Sequence, residues 1–148
     1  MSSWKAQASR AAPRAAALIW AAYDATRAAA YWTTSPAQLS EVATVMPLWI
    51  PWTIAPFLLT AGGCVPPRAG PQSKKLALGM RQWGITLTVM LLMVWGVSFI
   101  VADSSRGWVT AGSYVMLAVF ASISGWVASR EVASVTAISE HDANARVD

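Results

Sequence analysis

The sequence predicts an all-α integral membrane protein, built as a single membrane domain of four transmembrane helices. Lys and Arg number 11 and Asp and Glu 7, so charged residues make up only 12% of the 148-residue chain, about half the share of an average soluble domain. Hydrophobic residues reach 55%, and nine residues are tryptophan. Residues 42–67, 82–102 and 107–129 carry no charge. Each interval is long enough for one helical crossing of a hydrocarbon core about 30 Å thick.

The first predicted helix, residues 12–32, is rich in alanine and contains Asp24 and Arg27 inside its apolar stretch. Asp24 and Arg27 lie three residues apart, which places them on one face of a helix. Charges at membrane depth are costly unless they are paired or face water. We therefore interpret them as an intramembrane polar pair, either self-neutralising or lining a polar seam. Taken alone, this segment also fits an interfacial helix, which would leave three crossings.

The second predicted helix, residues 45–65, is interrupted by prolines. Pro51 and Pro56 fall inside it and are predicted to kink it, because proline removes a helical hydrogen bond. Two further prolines end the helix and open an inner loop. That loop is predicted to be cytoplasmic and basic, with four cations: Arg68, Lys74, Lys75 and Arg81.

The third and fourth predicted helices are residues 82–102 and 108–129, followed by a cytoplasmic tail, residues 130–148. Small residues recur on the fourth helix at a spacing that lets two backbones approach closely. They predict a helix-packing face made of Ala118, Ala121, Ser122, Gly125 and Ser129. The spacing leaves open whether the partner helix belongs to the same chain or to another copy.

The distribution of basic residues decides between three and four crossings. Lys and Arg in short loops collect on the cytoplasmic side of a membrane. With three crossings the two sides would carry five and six basic residues, whereas four crossings place nine inside and only Arg106 outside. The positive-inside count therefore favours four crossings in the cytoplasmic membrane, with both termini in the cytoplasm.

Most of the tryptophans fit the two membrane interfaces, where an indole ring can be buried while its N–H stays hydrated. Trp20, Trp52 and Trp95 fall deeper than the interfaces in the four-helix arrangement. We predict that these three pack between helices.

The residue inventory argues against catalysis. One His and one Cys exclude most metal sites, and no nucleophile has a neighbouring base, so we expect no enzyme activity, metal or cofactor. No aromatic residue lies between Arg68 and Arg81 to stack on bases, so nucleic acid is not an expected partner. The expected partners are the lipid bilayer and further copies of the chain.

The stretch DSSRGWVTAGSYVMLAVFASISGWVASRE, residues 103–131, resembles the last loop and helix of small multi-pass membrane proteins of actinobacterial phages and prophages. The bias toward Ala, Trp and Arg fits a GC-rich genome. Some such proteins resemble holins, which oligomerise and open holes in the inner membrane. The resemblance implies a holin-like protein that self-associates and permeabilises the membrane. The alternative is a non-catalytic accessory protein that makes no pore and acts in superinfection exclusion or partner anchoring.

Overall fold

The computed structural model describes residues 3–33, 47–66, 69–101 and 107–144, with side chains described from residue 11 to 127 within those ranges and at residues 129 and 130. The regular structure of these residues is entirely helical, which confirms the predicted fold class. The described residues form four helices, α1 (Ser3–Thr33), α2 (Trp49–Cys64), α3 (Pro71–Val101) and α4 (Gly107–Asn144).

The predicted basic inner loop is mostly helix, because α3 begins at Pro71 rather than at residue 82. Proline suits the first position of a helix, where its missing N–H has no intrahelical partner. The next dozen residues are mainly strong helix formers such as Lys, Leu, Ala and Arg. Lys74, Lys75 and Arg81 therefore lie on α3, whereas Arg68 lies outside the described residues.

The prolines of α2 differ in their effect from the prediction. Pro51 is the third residue of the helix, where backbone N–H groups have no partner within the helix, so it removes no helical hydrogen bond and the kink assigned to it stays a prediction. Pro56 lies inside α2 and removes one interior hydrogen bond. The kink assigned to Pro56 stays a prediction.

Helices that are consecutive in sequence pack together: α1 with α2, α2 with α3, and α3 with α4. The first helix also touches α3 and α4 over smaller areas. The buried core joins all four helices and is dominated by three tryptophans and several leucines. Trp20, Trp52 and Trp95 are almost fully buried, which confirms their predicted role in packing.

Within the part of the chain that the structure describes, two helices are long and apolar enough to cross a membrane, α3 over its whole length and α4 from Gly107 to Val127. Two of the four crossings predicted from the sequence therefore correspond to helices that meet this criterion of length and apolarity. The other two crossings stay a prediction. The first helix falls short because its many alanines are only weakly apolar and several charges interrupt them. The second is apolar throughout but only 16 residues long.

Candidate functional site

The most unusual polar residue of the bundle is Asp24, whose side chain is fully buried. It points from the middle of α1 toward α3. Its Oδ2 atom lies 2.6 Å from the hydroxyl of Thr88, which also lies 3.0 Å from the carbonyl oxygen of Gly84 on its own helix. The Oδ1 atom of Asp24 is buried and has no hydrogen-bond partner among the described residues. A carboxyl group is thus held between two helices by one hydroxyl.

The hydroxyl of Thr88 lies within hydrogen-bonding distance of two acceptors, Oδ2 of Asp24 and the carbonyl oxygen of Gly84. A threonine hydroxyl carries one hydrogen and can donate it to one acceptor. The Thr88 hydroxyl therefore shares its one hydrogen between Oδ2 of Asp24 and the carbonyl oxygen of Gly84.

Arg27 does not pair with Asp24, so the predicted intramembrane ion pair is wrong. The guanidinium Nε of Arg27 donates instead to the hydroxyl of Tyr23, 3.1 Å away. The guanidinium carbon also lies 5.2 Å from the ring centre of Tyr23 and 5.4 Å from that of Tyr114 on α4, within the range of cation–π attraction. Residues three apart share a helix face only loosely, being about 60° apart around the axis. Here that angle directs the side chain of Asp24 toward α3 and that of Arg27 toward α4.

Aromatic residues surround this polar centre and link the helices. The indole N–H of Trp95 on α3 donates to the hydroxyl of Tyr31 on α1, at 2.6 Å. Trp52 of α2 meets Trp95 edge to face, with ring centres 5.5 Å apart. The indole nitrogen of Trp52 is buried without a hydrogen-bond partner in the described structure. These contacts fix the relative positions of α1, α2 and α3.

A second polar contact ties α1 to α4. The indole N–H of Trp20 donates to the hydroxyl of Ser124 at 3.3 Å, and that hydroxyl donates to the carbonyl of Phe120 at 2.8 Å. The site therefore uses polar side chains of α1 mainly to hold other helices of the same chain.

The predicted packing face of the fourth helix is divided in the structure. Ala118, Ala121 and Gly125 are buried inside the bundle, and a Cβ placed on Gly125 would come 3.0 Å from the side chain of Ile85 on α3. Ser122 and Ser129 are exposed, and their hydroxyls donate to carbonyls of their own helix. Only the buried part of the small-residue face, at Ala118, Ala121 and Gly125, accordingly packs within the chain.

Sequence reasoning missed Thr88 as the partner of Asp24. The available signal was a hydroxyl in the middle of a long uncharged helix, since such groups commonly bond across helices in membranes. The same reasoning missed Tyr31 and Tyr114, which were assigned to no polar network. In the parts of the chain that the structure describes, no three His, Cys, Asp or Glu side chains cluster in a way that could hold a metal ion.

Comparison with known proteins gives no relative: no family model matches the chain, and no curated protein or solved structure is similar to it. The class of the protein therefore follows from its own features. It is a helical bundle in which two helices have the length and apolarity of membrane spans.

Proposed function

We propose that the protein is a multi-pass component of a bacterial cytoplasmic membrane, which it crosses four times with both termini in the cytoplasm. The exposed faces of α3 and α4 support membrane embedding, because they carry large apolar side chains where a soluble protein would carry polar ones. Those side chains include Met90, Val97, Ile100, Val115, Met116, Val119, Phe120 and Ile123.

The first two helices complete the bundle in this proposal. The second is apolar throughout, so insertion costs it little. The first buries its carboxyl at Thr88 rather than exposing it to lipid, which lowers the cost of placing Asp24 at membrane depth. The nine-to-one distribution of basic residues then gives the orientation.

Within that membrane we propose a non-catalytic accessory role, in which the protein anchors a cytoplasmic partner and makes no pore. The observation that carries this proposal is the length of α4, a continuous helix of 38 residues. At 1.5 Å per residue it measures roughly 57 Å, nearly twice the hydrocarbon thickness. Beyond Arg130 the helix continues to Asn144 with a mixed-charge sequence suited to water. We call this segment, residues 130–144, the α4 extension.

The internal use of the polar groups argues against a water-filled pore. A pore needs a polar surface that water can wet and a face for self-association. The carboxyl of Asp24 is fully buried against Thr88, and Gly125 packs on Ile85 within the same chain. The bundle thus keeps inside itself the features that a pore of several copies would have to present.

Membrane potential is the measurement that tests the absence of a pore. The full chain is expressed in a bacterium, its abundance in the membrane is quantified, and a potential-sensitive dye is followed. We expect cells to remain energised when the protein is abundant. Abrupt loss of potential at an abundance matched to an inert membrane protein would refute the accessory proposal.

Crosslinking in the organism that encodes the protein tests the anchoring role. A photoreactive amino acid is placed at Ser134 or Ala137 in the α4 extension and, as a matched control, at lipid-exposed Phe120 on the same helix. We expect adducts with one soluble protein from the extension and none from Phe120. Absence of adducts along the whole extension would refute anchoring.

A holin-like assembly remains the second candidate, and the outward face of α1 favours it. Ala15, Ala22 and Ala29 are exposed at intervals of seven residues, which suits close contact with another copy. If copies associate there and open the membrane, expression collapses the potential and Ala22→Leu prevents the collapse. Val119→Leu, on the exposed face of α4, is the matched control and should leave the collapse unchanged.

A further inference from the structure

A cleft of about 350 Å³ lies at one end of the bundle, between α1, α3 and α4. It opens where α1 and α4 meet over only a small area. Its walls combine small and apolar residues with a few polar ones, among them Ala16, Ala17, Gly79, Gln82, Ile85 and Gly125. The volume and the mainly small and apolar lining suit a chain of methylene groups.

The serines of the cleft do not make its wall polar. The hydroxyl of Ser124 accepts from Trp20 and donates to a backbone carbonyl, and that of Ser129 donates to the carbonyl of Gly125. These donors are already used, so a ligand would meet a mainly apolar surface along most of the cleft.

Positive charge is concentrated around the same end of the bundle. Arg81 lines the cleft, and its Nε atom donates to the carbonyl of Gly62 on the adjoining helix α2 at 2.7 Å. Lys74 and Lys75 precede the lining residue Leu78 by four and three positions, which places them one turn away on the same side of α3. Arg14 adjoins Pro13, another residue of the wall. An apolar groove bordered by cations is complementary to an anion that carries an apolar chain.

We propose that this cleft binds one anionic phospholipid, with an acyl chain along the small-residue wall and the phosphate among the cations of α3. Basic pockets between transmembrane helices at the cytoplasmic side recognise such headgroups. The proposal rests on the membrane embedding and orientation proposed above, which place this end at the inner leaflet. The phospholipid site is an addition to the anchoring role proposed above.

Two glycines provide a matched pair of variants. Gly79 lines the cleft, and a Cβ built on it meets nothing within 4 Å. Gly79→Leu therefore fills the groove without disturbing the helix packing. Gly112 is likewise inside a helix and open on its side-chain face, but it lies in a shallow groove elsewhere on α4. Gly112→Leu makes the same chemical change away from the cleft.

Native mass spectrometry of the purified full chain measures the lipid that each variant retains. The protein is exposed to phosphatidylglycerol or phosphatidylcholine with identical acyl chains and then stripped in detergent. We expect roughly tenfold greater retention of phosphatidylglycerol than of phosphatidylcholine. Gly79→Leu should lose most of that retention, Gly112→Leu should keep it, and Lys74→Gln with Lys75→Gln should reduce the preference between the two lipids.

Equal retention of the two lipids, or undiminished retention by Gly79→Leu, would overturn the proposed site. Alkaline extraction of membranes tests the underlying embedding separately. Protein that stays in the membrane at high pH but shows no headgroup preference refutes the lipid site alone. Protein that is released at high pH refutes the membrane proposal itself, whatever lipid the purified chain retains.

Discussion

Replacing Gly62 by alanine should weaken the packing between α2 and α3. A Cβ at this position would lie 2.6 Å from the carbonyl oxygen of Ala77 and 3.1 Å from the backbone nitrogen of Arg81. Real Cβ contacts lie beyond 3.0 Å. The Cγ atom of Arg81 is also close, at 2.8 Å, but the nearest atom is a backbone oxygen. No side-chain rotation relieves that overlap, so the two helices must separate by about 0.4 Å locally.

The cost has two sources that can be bounded. Inserting a methyl group into a tightly packed contact typically costs about 1–3 kcal/mol. Separation of the helices also lengthens the hydrogen bond from Arg81 Nε to the carbonyl of Gly62, now 2.7 Å. A hydrogen bond to a charged group contributes about 1.5–3 kcal/mol when intact, and lengthening removes only part of that. We expect a total loss of about 2–4 kcal/mol in the free energy of unfolding.

Unfolding in mixed micelles, followed by tryptophan fluorescence, measures this difference. Gly79→Ala is the control, since it places a methyl group on α3 at a position where nothing lies within 4 Å. That variant should be unchanged or more stable by up to about 1 kcal/mol, because alanine favours helix over glycine. If Gly62→Ala and Gly79→Ala are equally stable, the close approach of α2 and α3 is wrong.

Two further predictions concern the polar centre and the orientation. A double-mutant cycle on Asp24→Leu and Thr88→Val should give a coupling energy above about 1 kcal/mol in the unfolding free energy, because removing one partner leaves the other buried and unsatisfied. The cycle of Asp24→Leu with Arg27→Gln should be additive within about 0.5 kcal/mol, and strong coupling there would restore the ion pair. For orientation, a cysteine at Ser104 in a cysteine-free chain should react with an impermeant maleimide in intact cells. A cysteine at Ser73 should react only after permeabilisation, and the reverse order of labelling would invert the proposed topology.

The predictions that depended on bulk properties agree best with the structure. Uncharged stretches indicated helices, and all four predicted helices overlap observed ones. Tryptophan depth was also informative: Trp52 and Trp95 are buried, whereas Trp83 and Trp108 are about 70% exposed. Helix formation and the depth of a tryptophan depend on the local sequence and on the surrounding solvent or lipid. They can therefore be predicted without knowing which helices are neighbours.

The predictions that depended on specific partners were less successful. Two opposite charges three residues apart suggested a local pair, but Asp24 bonds to a residue 64 positions away. Spacing along one helix gives the direction of a side chain only approximately, and a tertiary partner decides which contact forms. The prediction of a basic inner loop was wrong for a different reason. The run of charged residues was interpreted as a loop, although Lys and Arg are good helix formers.

Under the four-crossing proposal, the difference in apolarity between the helices implies an order of assembly. The third and fourth helices are long and apolar enough to cross a membrane. The first is not, because it carries Asp24 and Arg27 and is rich in alanine. One oxygen of its carboxyl bonds to Thr88 and its guanidinium lies over Tyr114, so both groups depend on helices that follow it in the chain. A first helix that is synthesised before its partners is therefore stabilised at membrane depth only after α3 and α4 have assembled beside it. The buried polar contacts then serve to select one arrangement of the bundle, since an apolar first helix would have no reason to prefer this neighbour over lipid.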